Sequence, residues 1–306
     1  MPLMKNLSMG LIIIFLALMS AGAANGLLTD PSYIKEIEKW RNERLEEING
    51  ETGWNTLVGL FWLNEGKNRF GSDPSNDIIL PRHEAPKFAG AVWLGKGTVR
   101  LTAKPEAGVT NNGTRVVDLV LRSDADGLPT VLKLGPITMF IIKRGEKFGL
   151  RVKDKHHPAR SNFHGLSYFP LDVNWRVAAK LEAYVPPKVI PIVNVLGMVD
   201  NMTSPGALVF EMNGKEYRLD PVLEKGSKQL FVIFADLTSG KQTYGAGRYL
   251  YVDPPDPNGK VIIDFNKAYN PPCAFTKFAT CPLPPRQNRL AMRVEAGEMK
   301  YSGSGH

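Results

Sequence analysis

Apolar residues along this chain keep two different rhythms. Ile34, Ile37, Trp40, Leu45 and Ile48 recur at near-helical spacing, with glutamates and arginines filling the other face. Asp30 and Pro31 stand before the run as an N-cap and a first helical residue, and Gly50 follows it as a stop. This pattern predicts an amphipathic helix over 30–50 whose Ile/Trp stripe packs on a folded body. From Gly53 the rhythm changes. A dense apolar patch from Trp54 to Leu63 turns at Asn64-Glu65-Gly66, and short strand-like runs follow at 91–94, 98–102, 115–121, 130–134, 137–143 and 150–153. Turn signals such as Gly95-Lys96-Gly97 and Asn111-Asn112-Gly113 separate them, which predicts a β-sandwich or barrel over 51–160.

A boundary is expected within 160–173. Beyond it Trp175, Val177, Ala179, Leu181 and Ala183 alternate with charged or small residues as a strand should, until Pro186-Pro187 ends the run. The segments 207–211 and 216–219 flank Asn213-Gly214 as a hairpin. With 230–235, 243–252 and 261–266 they predict a second antiparallel β domain over 174–301. The expected fold class is therefore mainly β: a helix, a β-sandwich, and a second antiparallel β domain. An irregular Pro-rich segment, 264–285, closes that second domain. Its Phe265, Tyr269, Phe275 and Phe278 are too many aromatics for a solvated linker, so it reads as ordered chain pinned onto the body.

The first residues change the picture. Lys5, an apolar run from Leu11 to Met19 and small residues from Ser20 to Ala24 have the form of a secretory signal peptide over 1–24, cleaved near Ala23 or Ala24. An uncleaved anchor is the alternative, but the run falls short of the about 20 residues of a membrane span. The mature chain is expected in the periplasm or outside the cell, with no stable membrane span.

Composition adds exclusions. With 43% hydrophobic residues and only two cysteines, the fold rests on an apolar core rather than on a disulfide scaffold. The formal charge of +8 is spread out without a basic run, so no nucleic-acid partner is expected. Nucleophile-elbow, zinc-protease, phosphate-loop and dinucleotide signatures are all missing. The segment 154–164 holds His156, His157 and His164 but no cysteine or glutamate at a supporting spacing, so it reads as a loop with exposed histidines and no metal. No cofactor is expected.

Polar residues that could meet collect in the last part of the chain. Asp236 and Thr238 follow one strand, Tyr244 and Arg248 flank the next, Asp264 and Asn266 close a third, and Asn270 comes after. Were these strands neighbours, Arg248 would pair with Asp264 or Asp236. The cluster would then either hold a small polar ligand or form a structural network beneath the Pro-rich segment. Cys273 and Cys281, in an exported chain, are expected to form a disulfide; a free thiol nucleophile is the alternative.

Two resemblances follow. Gly71-Ser72-Asp73-Pro74-Ser75-Asn76-Asp77-Ile78 with Leu80 and Pro81, Asn112-Gly113-Thr114 and Leu134-Gly135-Pro136-Ile137 resemble a forkhead-associated domain. Such domains hold phosphothreonine through an arginine after the first glycine and a Ser-x-x-His. Here Ser72 follows Gly71 and Leu80 stands three residues before His83, so phosphothreonine binding is not expected. Asp264-Phe265-Asn266, the run from Ala268 to Phe275, Thr280-Cys281-Pro282-Leu283-Pro284-Pro285, Asn288-Arg289-Leu290 and Ala296-Gly297-Glu298 resemble domain-of-unknown-function family number 1684. That resemblance implies no activity. The functional expectation is an exported protein that binds a small polar ligand or cell-envelope component through its C-terminal β domain. The alternatives are a hydrolase of an envelope or extracellular substrate, with Asp264 or Asp236 as acid/base and Arg248 holding an anionic group, or a protein-interaction module.

Overall fold

The computed structural model describes residues 30–82 and 84–303; the expected signal peptide and His83 lie outside them. The fold is mainly β. Helix α1 (Pro31–Asn49) begins where the cap was expected, with the Asp30 side chain accepting from Ser32 N at 2.9 Å. Its buried face differs from the expected stripe. Tyr33, Ile37, Arg44 and Ile48 are buried, while Ile34 is exposed. An arginine replaces an apolar residue on that face because acceptors wait for it on the body.

The first half is a sandwich of two sheets. Its strands are β1 (Leu57–Trp62), β2 (Gly66–Gly71), β3 (Ile78–Ile79), β4 (Gly90–Gly95), β5 (Thr98–Ala103), β6 (Thr110–Asn111), β7 (Thr114–Arg115), β8 (Asp118–Leu121), β9 (Leu132–Leu134), β10 (Ile137–Arg144) and β11 (Lys147–Asp154). One sheet runs β1-β11-β10-β9-β6-β7 and the other β3-β2-β4-β5-β8. Between them Phe70, Val92, Leu101, Ile137, Ile141, Leu150 and Val152 form the core. Strand alternation therefore sends Arg151 to the outer face of its sheet, opposite Leu60 and Phe140 in register.

The second half also pairs two sheets. It is built from β12 (Arg176–Val193), β13 (Val199–Met212), β14 (Lys215–Leu219), β15 (Val222–Leu223), β16 (Leu230–Phe234), β17 (Arg248–Val252) and β18 (Lys260–Asp264), ordered β14-β13-β12-β18 and β15-β16-β17. Asn213 and Gly214 take φ of 54° and 71° in the expected hairpin turn. Pro186-Pro187 does not end β12, which continues for 18 residues with a register shift between Ala183 and Lys188. Pairing with β18 stops at Lys180, so the prolines lie where that edge asks for no N–H. Among the described residues no helix is long and apolar enough to cross a membrane.

The Pro-rich segment is ordered, and α1 packs on it. Arg44 donates from Nε to Glu298 at 2.8 Å, from Nη2 to the Asn270 carbonyl at 2.6 Å and from Nη1 to Glu47 at 2.7 Å. Its guanidinium lies 4.5 Å from the Tyr269 ring centroid. Glu298 is fully buried, and its other oxygen accepts from Asn270 N at 2.8 Å. Removing one partner strands the other charge in the interior. Glu298→Ala is expected to lose about 3–5 kcal/mol of stability, read by urea unfolding, and Arg44→Met with Glu298→Gln together to lose less than Glu298→Ala alone.

Candidate functional site

The structure sorts the sequence-singled residues into separate networks. Arg248, only 1% exposed, donates from Nη2 to Asp236 Oδ2 at 2.5 Å and to the Val294 carbonyl at 2.8 Å, and from Nη1 to the Ala296 carbonyl. Asp236 Oδ1 takes the Thr238 N–H at 2.5 Å, and the Thr238 hydroxyl meets that of Thr243 at 2.8 Å. Of the two acids open to Arg248, the fold gives it Asp236 and not Asp264. Asp264 accepts the Tyr33 hydroxyl on both oxygens at 3.0 Å, and the Asn266 N–H at 3.1 Å. Asn266 Nδ2 reaches the Asp172 carbonyl at 2.8 Å, and Asn270 Nδ2 the Met299 carbonyl at 2.8 Å. Burial raises the Asp264 carboxyl above its usual range. The Tyr244 hydroxyl donates to the Cys273 carbonyl at 3.1 Å. Arg248, Asp236 and Thr238 are thus sealed and satisfied by protein groups, with only Arg248 Nε left over.

Cys273 and Cys281 are free thiols here, not the expected disulfide, and lie side by side: Cys281 Sγ accepts from Cys273 N at 3.0 Å. The hydrogen bond from Cys281 holds the Cys273 thiol below its usual range, and burial pushes Cys281 up.

A site that the sequence did not single out lies where the halves meet. A cavity of about 250 Å³ opens between Arg144, Arg151 and Trp54 on one side and Tyr249, Tyr251, Tyr269 and Cys281 on the other. Arg151 comes from the outer face of β11, and Trp54 from the single turn that follows α1. Tyr249 and Tyr251 sit two apart on β17, hence on one face. Arg144 is held by Asp124 at 2.8 Å and Thr280 at 3.1 Å. Arg151 has no such anchor. It is 6% exposed, its Nε has no hydrogen-bond partner, and its guanidinium makes no ion pair among the described residues. Two aromatic faces attend it, Trp54 at 5.4 Å and Phe140 at 5.8 Å, and the carboxylates in reach of its field, such as Asp124, make no bond to it. Burial, then the Arg144 charge, pushes Arg151 down to about 10, which leaves it cationic at neutral pH. Burial likewise brings Lys153, whose ammonium lies 5.5 Å from the Trp54 ring, down to about 8.

Glu84, distant in sequence, meets the histidine loop, with His156 Nδ1 2.9 Å from Glu84 Oε1 and Asp154 beside them. His157 turns away to the Asn55 carbonyl at 2.9 Å.

Comparison with known proteins gives a limited frame. The family described as "Protein of unknown function (DUF1684)" matches residues 161–299. An uncharacterized protein of Haloarcula marismortui, solved by solution NMR, is 34% identical over 46% of this chain and 78% of its own, with a TM-score of 0.39. A structure from a study of phosphothreonine-dependent FHA domain interactions covers 32% of this chain and 96% of its own, at 20% identity and a TM-score of 0.22. No curated protein matches.

Lys153, beside the Trp54 ring, gives the fold a pH signature. The unfolded chain keeps this proton up to its ordinary value of 10.5, the folded chain only to about 8. Between these values the unfolded state binds more protons, so stability rises with pH. The wild type is expected to gain roughly 1–2 kcal/mol over Lys153→Met between pH 8 and 10.5, after discounting for partial exposure. Parallel urea-midpoint curves against pH would rule this out.

Proposed function

The chain belongs to the DUF1684 family of proteins of unknown function, and from its own geometry we propose that it binds a small polar ligand through an anionic group, in the cavity between its two halves. Arg151 carries this reading. A buried cation without a partner costs several kcal/mol, far more than a surface arginine. Every other buried arginine among the described residues has a carboxylate: Glu298 for Arg44, Asp236 for Arg248. At Arg151 that place is open to a ligand. The flat fork of the guanidinium suits a carboxylate or phosphate, and aromatic walls suit the body of a small molecule.

The ligand site thus moves from the Arg248–Asp264 cluster to the seam beside it, while the C-terminal half still supplies most of the wall. The hydrolase reading has less support, because Arg248, its intended anion holder, is enclosed by Asp236 and two carbonyls.

Export and the disulfide belong to the same proposal. In an oxidising compartment the adjacent thiols of Cys273 and Cys281 close, which stabilises the segment by about 2–3 kcal/mol through loop entropy. The ligand is then met outside the cytoplasm, as a solute or an envelope component.

Two measurements test this. Trp54 stands next to the Arg151 guanidinium, so its fluorescence reports anion binding, with Trp54→Phe as the blank. Titrated with inorganic phosphate and with short carboxylates, Arg151→Gln is expected to bind at least about tenfold more weakly than wild type while unfolding at equal or higher urea. Equal affinity in the variant overturns the anion site. For export, alkylation of unreduced protein from the periplasm is expected to label neither cysteine, and to label both after reduction; labelling before reduction counts against the disulfide.

A further inference from the structure

The Arg151 cavity does not end at its tyrosines. A second cavity of about 340 Å³ shares Tyr251 and Tyr269 with it, so the two rings line both chambers. They lie nearly parallel, 20° between planes, with centroids 6.3 Å apart.

The two chambers differ in charge. The first holds Arg144 and Arg151 with Glu47 and Glu224; Arg144 is paired with Asp124 and Glu47 with Arg44, which leaves Arg151 as its cation without an ion pair among the described residues. The second is lined by Glu43, Asp253 and Asp264 against Arg176, while its Lys267 is taken by Glu36. Asp253 accepts from Gln229 at 2.9 Å and Asp264 from Tyr33; Glu43 has only the exposed Lys39 at 3.7 Å. Glu224 of the first chamber accepts the Tyr251 hydroxyl at 2.6 Å and makes no ion pair with Arg151 among the described residues. The charge thus runs from unpaired cation through aromatic faces to surplus carboxylate.

We infer that the ligand is a small zwitterion with separated charges: an anionic group on Arg151, a chain lying along Tyr251 and Tyr269, and a primary ammonium in the acidic chamber. This rests on the anion reading of Arg151 and specifies the other end of the ligand. A lone anion uses half of the groove. An ammonium in the second chamber gains the carboxylates directly and the negative faces of the tyrosine rings on the way. A ligand with anions at both ends is repelled by Glu43, Asp253 and Asp264.

Calorimetric titration of the mature chain with 6-aminohexanoate, hexanoate and hexylammonium separates the two claims. 6-Aminohexanoate is expected to bind about tenfold more tightly than hexanoate, the worth of one charge-assisted hydrogen bond. Glu43→Gln with Asp253→Asn, both remote from the core, should abolish that gap and leave hexanoate unchanged. Arg151→Gln should weaken both carboxylates and leave hexylammonium as it was. Equal affinity of hexanoate and 6-aminohexanoate for wild type, with dependence on Arg151 intact, overturns the zwitterion and leaves the anion site standing. Carboxylate binding that ignores Arg151, or no binding of any of the three probes, overturns both.

Discussion

The ion pair between Arg44 and Glu298 holds this molecule together at its least regular point. The Pro-rich segment pairs with its neighbours only at isolated bridges, Tyr269 with Tyr249 and Pro282 with Asn194, so side chains have to fix the stretches between them. Arg44 does this from a rigid helix. It grips the Asn270 carbonyl directly, and reaches the Asn270 N–H through Glu298. Tyr33, about three turns earlier on α1, does the same for Asp264 and Asn266. Aromatic packing completes the clasp: Ile48 lies with Ala274 and Phe275, and Trp54 closes over them. The walls of the cavity inherit their positions from this arrangement, since Trp54 leaves α1 by a single turn and Tyr269 lies under Arg44.

Three arginines are buried among the described residues, and the contrast among them separates architecture from a binding site. Arg44 and Arg248 are each enclosed by a carboxylate and carbonyls, so nearly all of their donors are used. Desolvation is offset within the protein, and a ligand would gain nothing by approaching. Arg151 has the same cost but no bonded carboxylate, only two aromatic faces and the unbonded charge of Asp124. Perturbed ionisation does not by itself distinguish the cases, because Arg248 and Arg151 are both pushed down by burial. Accounting for partners does: Arg151 makes no ion pair among the described residues and lines a cavity of about 250 Å³.

Much of the fold was legible because it follows local rules. Asp30-Pro31 capped the helix, Asn213-Gly214 turned the hairpin, and β runs fell between turn signals as expected. What escaped were properties of tertiary partners. Pro186-Pro187 reads as a strand end unless it is known that β18 stops pairing at Lys180. Arg248 had two carboxylates open to it, and spacing could not choose between them. Cys273 and Cys281 were visible, but the place of Cys281 in one cavity with Tyr249 and Arg151 was not. For Arg151 a signal existed. The run Leu150-Arg151-Val152 alternates, which taken alone indicates a core face and a solvent face. The outer face is instead covered by the second half, which turns an ordinary surface arginine into a buried one.

That covering explains why the groove belongs to the whole chain rather than to either half. The six-stranded sheet alone would present Arg151, Lys153 and Phe140 to water, where the charges cost little and attract anions weakly. The second half alone would expose Phe231, Tyr249 and Tyr251, an aromatic strip without a countercharge. Bringing them together lowers the local dielectric around the cation and lines its approach with rings, so each half makes the other's residues more selective. The same docking restrains motion: Arg144 bonds across to Thr280, Thr276 to the Leu57 carbonyl and Lys225 to the Ala125 carbonyl. The cavity is therefore set by the packing of two β bodies and by the helix that clasps their irregular edge, and an anion entering it meets a guanidinium already in place. Preorganisation of that kind turns a structural cost into affinity, because the price of burying the charge is met on folding and only the gain is left for binding.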